Sequence, residues 1–334
     1  MATVKINKKL ERSLSIKKIN RQGQGLLIDP KLNSILVVGT VRNVGKNIGK
    51  EIKICQKALK DFRSVSFYLV ESDSTDKTLI RLDQIKQSVP NFEYVSLGDL
   101  SKKIPDQYNR IRFCRNKYVS YIRSIKKNKA NYILVVDLDG MNKALNSKSI
   151  RSCFKRNDWD VVVSNQTFGY YDILALRHPT WQERDWRQDS FLYSHNLNRF
   201  RQNFKKDYLR RYLDQDKISY LLVYSKMIRI PKNYPWINVN SGFGGAAIYK
   251  NKVFRKFDYS KEFKTIETDH VSLNRKVIRS GGKIFLNPGF INSHLNTYNI
   301  NRYFLIRFVR INLWKNKKVY NSKAYKYIKF IFKR

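Results

Sequence analysis

The sequence predicts an α/β protein: a mostly parallel central sheet with helices on its faces. Two patterns carry that expectation. Apolar runs of five or six residues recur with helix-length segments between them, as βαβ units require. Polar residues also collect just after each run, at the carboxyl ends where such sheets bind ligands. With 42% apolar and 13% aromatic residues in 334, the chain can fill such a core, and wholesale disorder is excluded.

The elements follow in order. Residues 1–33 are basic and polar and read as an N-terminal arm. SILVVGT (34–40) is a short apolar run ending in a turn, readable as a buried strand. Ile48, Ile52, Cys55, Leu59 and Phe62 recur four and three apart and mark one face of a helix. VSFYLV (65–70) is a second strand. The turn ESDSTDKT follows, with Ser and Asp residues suited to cap a helix beginning near Asp76. FEYVSL (92–97) is a third strand, residues 109–127 a long basic helix, and YILVVD (132–137) a fourth strand. WDVVVS (159–164) is the fifth, after another short helix. Residues 181–235 are aromatic and highly charged and read as a helical insertion over the site. In NVNSGFGGAAIYK (238–250) small residues crowd before a short strand. Residues 267–294 then give a helix, a Gly-Gly turn, a strand and a closing histidine. Residues 301–334 form a basic aromatic tail.

The net charge of +41 bears on partners more than on fold. Nucleic acid, anionic lipid and phosphorylated substrates are all compatible with it, and part is the background of a chain rich in Lys, Asn and Ile. Cys55, Cys114 and Cys153 are odd in number and form no CxxC pair, which suggests reduced, buried thiols and no zinc site. The N-terminus lacks the apolar centre of a signal peptide, and no window reaches the ~18 apolar residues of a membrane span. The expected location is cytoplasmic. The tail holds eleven Lys or Arg and no acid, interleaved with Trp314 and other aromatics, so it reads as a segment for an anionic membrane surface on the inner face. Each basic residue near such a surface contributes about 1 kcal/mol. Nucleic-acid binding through phosphate contacts and stacking is the rival. It is not favoured: no helix-turn-helix, RNP or zinc signature is present, and acidic strand ends would repel phosphates without a metal.

The stretch YILVVDLDGMN (132–142) carries the chemistry. Asp137 and Asp139 stand one position apart at the end of an apolar strand. Two acceptor-only groups so close repel one another, and a hard divalent cation, Mg²⁺ or Mn²⁺, cancels that cost. DLDG also approaches the nucleophile motif of haloacid-dehalogenase-like phosphatases. Three strands precede it here, however, Met141 replaces the hydroxyl residue, and no later GDxxxD-type loop follows.

More of the chain resembles the GT-A-fold glycosyltransferases, in particular enzymes similar to the cryptococcal capsule-associated mannosyltransferases. VRNVGKNI, ESDSTDKT, RIRFCRNKYV, VVDLDG, YYDILALR, SGFGGAAIYK and ETDH occur in that group's order, between about residues 34 and 296. The resemblance implies a Rossmann-like GT-A sheet, with a nucleotide-binding half at 34–165 and an acceptor half at 166–300. It implies a metal-dependent hexosyltransferase that moves a sugar from a nucleotide-sugar donor to a glycan or lipid-linked acceptor. Carried over, Asp139 is the main Mn²⁺ or Mg²⁺ ligand, Asp137 contacts ribose or a metal-bound water, and His294 completes the coordination. Thr40, Arg42, Asn43, Glu71 and Asp73 would line the nucleotide pocket, and Arg115 and Asn116 would meet the diphosphate. Asp269 is the candidate base for an inverting transfer, with Glu267 second. The T-D-H order departs from the common E-D pair and leaves open which acid serves.

Overall fold

A computed structural model describes residues 28–124, 130–185, 222–261 and 267–302. Most of the expected arm, the centre of the expected insertion and nearly all of the tail lie outside the described residues. Among the described residues no helix is long and apolar enough to cross a membrane.

Among the described residues eight strands form one sheet. They are β1 (Ser34–Val41), β2 (Ser64–Glu71), β3 (Phe92–Ser96), β4 (Tyr132–Val136), β5 (Val161–Gln166), β6 (Ile237–Asn238), β7 (Ala246–Lys250) and β8 (Ile284–Ser293). Their spatial order is β3-β2-β1-β4-β7-β5-β8-β6. The helices are α1 (Ile48–Ala58), α2 (Thr78–Ser88), α3 (Leu100–Lys103), α4 (Gln107–Ser124), α5 (Ser147–Ser152), α6 (Asn251–Lys256) and α7 (Asp269–Arg279). The strands expected from the sequence are all present, shifted by a residue or two at their ends. β6 and the short helices α3 and α6 are additional.

Alternation along the strands builds two cores, one on each face. Ile35 and Val37 of β1 join Leu134 and Val136 of β4 beneath Ile48, Ile52 and Cys55 of α1 and Leu82 and Ile85 of α2. Leu36 and Val38 join Ile133 and Val135 on the other face, under Tyr118, Val119 and Ile122 of α4 and Leu273 and Val277 of α7. A sheet covered on both sides has apolar residues at every strand position, which is why β1 and β4 read as unbroken runs. The helical stripe ends sooner than its spacing implied: α1 stops at Ala58, and Leu59 and Phe62 stay buried in the turn that follows. The cysteines Cys55, Cys114 and Cys153 are free and buried.

The β1–β2, β1–β4, β2–β3 and β5–β8 pairs are parallel. β7 lies antiparallel between β4 and β5, and β6 pairs antiparallel with β8. Two consequences place the site. The chain leaves β1 toward β2 and β3 on one side and returns as β4 on the other, so the carboxyl ends of β1 and β4 flank a topological switch point. Because β7 runs the other way, its first residue Ala246 pairs with Val136, and the glycines before it abut the end of β4.

Candidate active site

Asp137 follows β4 directly, and its N–H donates to the carbonyl of Gly245 at 2.9 Å. Gly244 and Gly245 have φ of +68° and +82°, a backbone region costly for any side chain. A Cβ on Gly244 would stand 2.7 Å from the Ser164 carbonyl, and one on Gly245 2.6 Å from the Tyr171 hydroxyl. The crowded small residues thus serve a buried turn at the heart of the protein. Gly244 N–H donates to Asp172 Oδ2 at 3.0 Å. The Gly244 carbonyl accepts from Ser164 Oγ, Gln166 Nε2 and Asn292 Nδ2 at 2.8, 2.8 and 3.0 Å. One turn therefore fixes both Asp137 and Asp172.

Beneath the aspartate loop, Asn142 is wholly buried and donates through Nδ2 to the Asp137 carbonyl and to Glu51 Oε2, each at 2.6 Å. Glu51 belongs to α1, and burial raises its pKa. Asn47, just before α1, donates to the Asp139 carbonyl at 3.0 Å. The loop is held from below while the Asp139 side chain faces solvent.

Across the site, α4 presents the buried Arg115. Its Nε lies 3.0 Å from Asp269 Oδ2, and its Nη2 lies 3.9 Å from Asp137 Oδ1. Its Nη1 donates to His270 Nε2, so the imidazole carries its proton on Nδ1. Burial, then the neighbouring guanidinium, push His270 far below its ordinary pKa and keep it neutral. Phe243 stacks on the imidazole at 3.8 Å, and the Arg115 guanidinium lies over Phe243 and Tyr259.

Three carboxylates, Asp137, Asp172 and Asp269, thus share the field of one buried arginine, and Asp139 acts on Asp137 beside them. Asp137 is pushed up to about 7: burial acts first, Arg115 opposes it, and Asp139, Asp172 and Asp269 add to the rise. Water still reaches 38% of the Asp137 side chain, so the group lies low in an open site rather than sealed away. Burial also raises Asp172, against the N–H groups of Gly244 and Ala175 that hold its oxygens. At the mouth, the rings of Tyr171 and Tyr298 stack at 5.1 Å, and Tyr298 is 47% exposed. Burial and the same aspartates raise both phenols, which sets the pair beside the acid cluster.

The expected residues fall into groups. Asp137, Arg115 and Asp269 come together. Asn116 turns away, accepting from Tyr259 N at 2.9 Å and so bracing the wall behind Arg115. Glu267 spends both carboxylate oxygens on Arg275 of α7. His294 follows β8, bonded through Nδ1 to Thr167 Oγ1 at 2.9 Å. Among the described residues no three of His, Cys, Asp or Glu are gathered closely enough to hold a metal, so His294 is not assembled with Asp137 and Asp139. The end of β8 nonetheless closes on the aspartate loop: Asn292, two residues before His294, accepts from Ala144 N at 3.0 Å and donates to the Gly244 carbonyl.

Thr40, Arg42 and Asn43 rim the end of β1, and Glu71 and Asp73 the end of β2. Asn43 Oδ1 accepts from Thr75 N at 2.8 Å. Glu71 accepts from Ser74 N and from the Ser96 hydroxyl. Asp73 Oδ1 accepts from Ser101 N at 2.7 Å, at the start of α3, while its buried Oδ2 has no hydrogen-bond donor. Asp76 accepts from the N–H of Thr78, the first residue of α2, at 2.9 Å. Sequence reasoning passed over Glu51, Asn142, Asp172, Tyr171 and Tyr298. Only YYDILALR, singled out as a segment, held a signal for two of them.

The sequence matches no known protein family and no curated protein. The fold is similar to solved structures at low identity. One is the mannosyltransferase PcManGT from Pyrobaculum calidifontis in complex with GDP-Man and Mn²⁺, with 11% identity, a TM-score of 0.48, and coverage of 87% of this chain and 63% of that one. Another is S. aureus TarS 1-349, with 12% identity, a TM-score of 0.41, and coverage of 88% and 68%. A third is glucosyl-3-phosphoglycerate synthase from Mycobacterium tuberculosis with Mn²⁺, UDP and phosphoglyceric acid, with 13% identity, a TM-score of 0.36, and coverage of 83% and 73%.

Proposed function

We propose that this protein is a divalent-metal-dependent glycosyltransferase of GT-A type that uses a nucleotide-sugar donor. The observation that carries the reading is the convergence of Asp137, Asp172 and Asp269 on Arg115, with Asp139 beside Asp137, at a topological switch point, where open α/β sheets take their ligands. The ordered motifs resembling such enzymes supply the reaction class.

The donor set fits Mn²⁺ or Mg²⁺. Asp137 and Asp139 are hard oxygen donors, and burial first, with the charge of Asp139 adding to it, raises Asp137; such ions keep several coordination positions for water and substrate phosphate. Asp139, the exposed member, is the main ligand and Asp137 the inner one, with His294, just past the end of β8, the third. A bound cation there supplies charge neutralisation for the departing nucleoside diphosphate. Thr40, Arg42, Asn43 and Glu71 form the rim for the nucleoside, and Asp73, whose Oδ2 lies 3.8 Å from Arg110 Nε, is the acid beside them that accepts from its base or ribose. Asp269, oriented by Arg115, takes the proton of the acceptor hydroxyl as that oxygen attacks the anomeric carbon and the carbon–phosphate-oxygen bond breaks. Asp172, raised by burial, is the second acid placed to do so. Tyr298 stacked on Tyr171 offers an aromatic face to an acceptor sugar. A glycan or lipid-linked acceptor, a hexosyl group and inversion belong to the same proposal. The phosphatase alternative is not favoured, since Met141 is buried and offers no hydroxyl.

The test is release of nucleoside diphosphate from a panel of nucleotide-sugars with Mn²⁺. Turnover is expected in the wild type and a loss of about 10²-fold or more in Asp139→Ala, the scale of removing one group that stabilises transition-state charge. Asp269→Asn and Asp172→Asn decide which acid is the base. Hydrolysis of phosphate monoesters with no use of nucleotide-sugars would overturn the proposal.

A further inference from the structure

Arg112 lies on α4 one turn before Arg115, on the same buried face, and is only 7% exposed. Its Nη1 donates to Asn109 Oδ1 at 2.9 Å. Its Nε and Nη2 are buried and have no partner. The flanking arginines are both engaged. Arg110 donates to the carbonyls of Ile104 and Pro105 and lies 3.8 Å from Asp73, while Arg115 is held by Asp269 and His270. Among the described residues no carboxylate forms an ion pair with Arg112. A buried guanidinium with unfilled donors is costly, and folds seldom keep one without a ligand to fill it.

The two free donors are adjacent, forming the side-on edge of the guanidinium that grips two oxygens of one phosphoryl group. Its helix neighbours mark the site it adjoins: Arg110 lies 3.8 Å from Asp73 after β2, and Arg115 3.9 Å from Asp137 after β4. We propose that Arg112 is an oxyanion-binding residue whose Nε and Nη2 take a substrate phosphoryl group. As a contact to the donor's diphosphate the inference rests on the nucleotide-sugar reading; a phosphate carried by the acceptor presents the same chemistry. Arg112 falls outside the R-x-x-x-x-R-N spacing of Arg110, Arg115 and Asn116, so the motif did not select it.

The experiment compares melting temperatures of wild type, Arg112→Met and Arg112→Lys alone, with inorganic phosphate, and with UDP or GDP plus Mn²⁺. Removing an uncompensated buried charge should leave the ligand-free Arg112→Met protein melting at or above the wild-type temperature, while its anion-induced shift disappears. Arg112→Lys, which keeps the charge and loses the fork, should bind about tenfold more weakly than wild type. Loss confined to UDP and GDP assigns the donor diphosphate. Loss confined to phosphate added to nucleotide-loaded protein assigns an acceptor phosphate. An Arg112→Met protein that melts lower and keeps the wild-type shifts, or a wild type that shows no shift with any probe, would overturn the proposal. If Arg112→Met fails to fold, Arg112→Lys carries the same comparison. A shift with phosphate that depends on Arg112, in a protein that ignores UDP and GDP, would instead sink the nucleotide reading and leave the oxyanion site standing.

Discussion

Asp137 ties the chemistry to a pH-dependent observable. Its folded-state pKa lies near 7, above the ordinary carboxylate value near 4. Between those values the folded protein binds more protons than the unfolded chain, so this group's contribution to stability falls as pH rises through that window. A cation bound at Asp137 and Asp139 must displace that proton. Calorimetry of Mn²⁺ binding in buffers of differing ionisation enthalpy should therefore show proton release at pH 6 that vanishes by pH 9 and in Asp137→Asn; equal release at both pH values would contradict the assignment. At this scale the sequence was readable where a residue stood on a periodic element. Asp137 and Asp139 showed because an apolar strand runs into them. Asp172 did not, because a lone aspartate in an aromatic loop has no periodic neighbour to place it. Glu51 and Arg112 were hidden among charged helical residues that ordinarily face water.

The antiparallel β7 and the turn before it decide whether the acids meet. Pattern in the sequence revealed an apolar strand there, but hydrophobic alternation carries no direction, so nothing marked it as the strand that runs against its neighbours. The two glycines showed as small residues, and their buried hydrogen bonds to Asp172 and Asp137 required the tertiary structure. Gly245→Ala must place a side chain at φ +82° and against the Tyr171 hydroxyl. We expect a loss of about 1–2 kcal/mol from the backbone alone, read as a lower melting temperature, with reduced Mn²⁺ affinity because Asp137 loses its anchor. A Gly49→Ala control should be tolerated, since a Cβ there meets nothing within 4 Å. Helix boundaries were less legible than helix existence. α1 ends before Phe62 although Phe62 is buried, because burial continues past the last helical hydrogen bond.

For the whole molecule, a charge of +41 around an acidic site separates two electrostatic tasks. The strand ends gather carboxylates, while the excess lysines and arginines set a long-range positive field. Vesicles containing anionic lipid should sediment the full chain, with binding that weakens as salt rises from 0.05 to about 0.5 M and the Debye length shrinks. Removing residues 301–334 should abolish most of it; unchanged binding would remove the membrane role from the tail. The layered sheet with polar strand ends was legible throughout, because each strand announces itself locally. The place of His294 relative to the aspartates was not, since strand order and the register shifts along β8 are set by distant pairing. The most direct measurement is anomalous diffraction at the manganese edge from crystals soaked with Mn²⁺ and a nucleoside diphosphate. The account predicts a single strong peak at bonding distance from Asp139 and a phosphate oxygen. A peak elsewhere, with Asp137 and Asp139 in contact only with water, would contradict it.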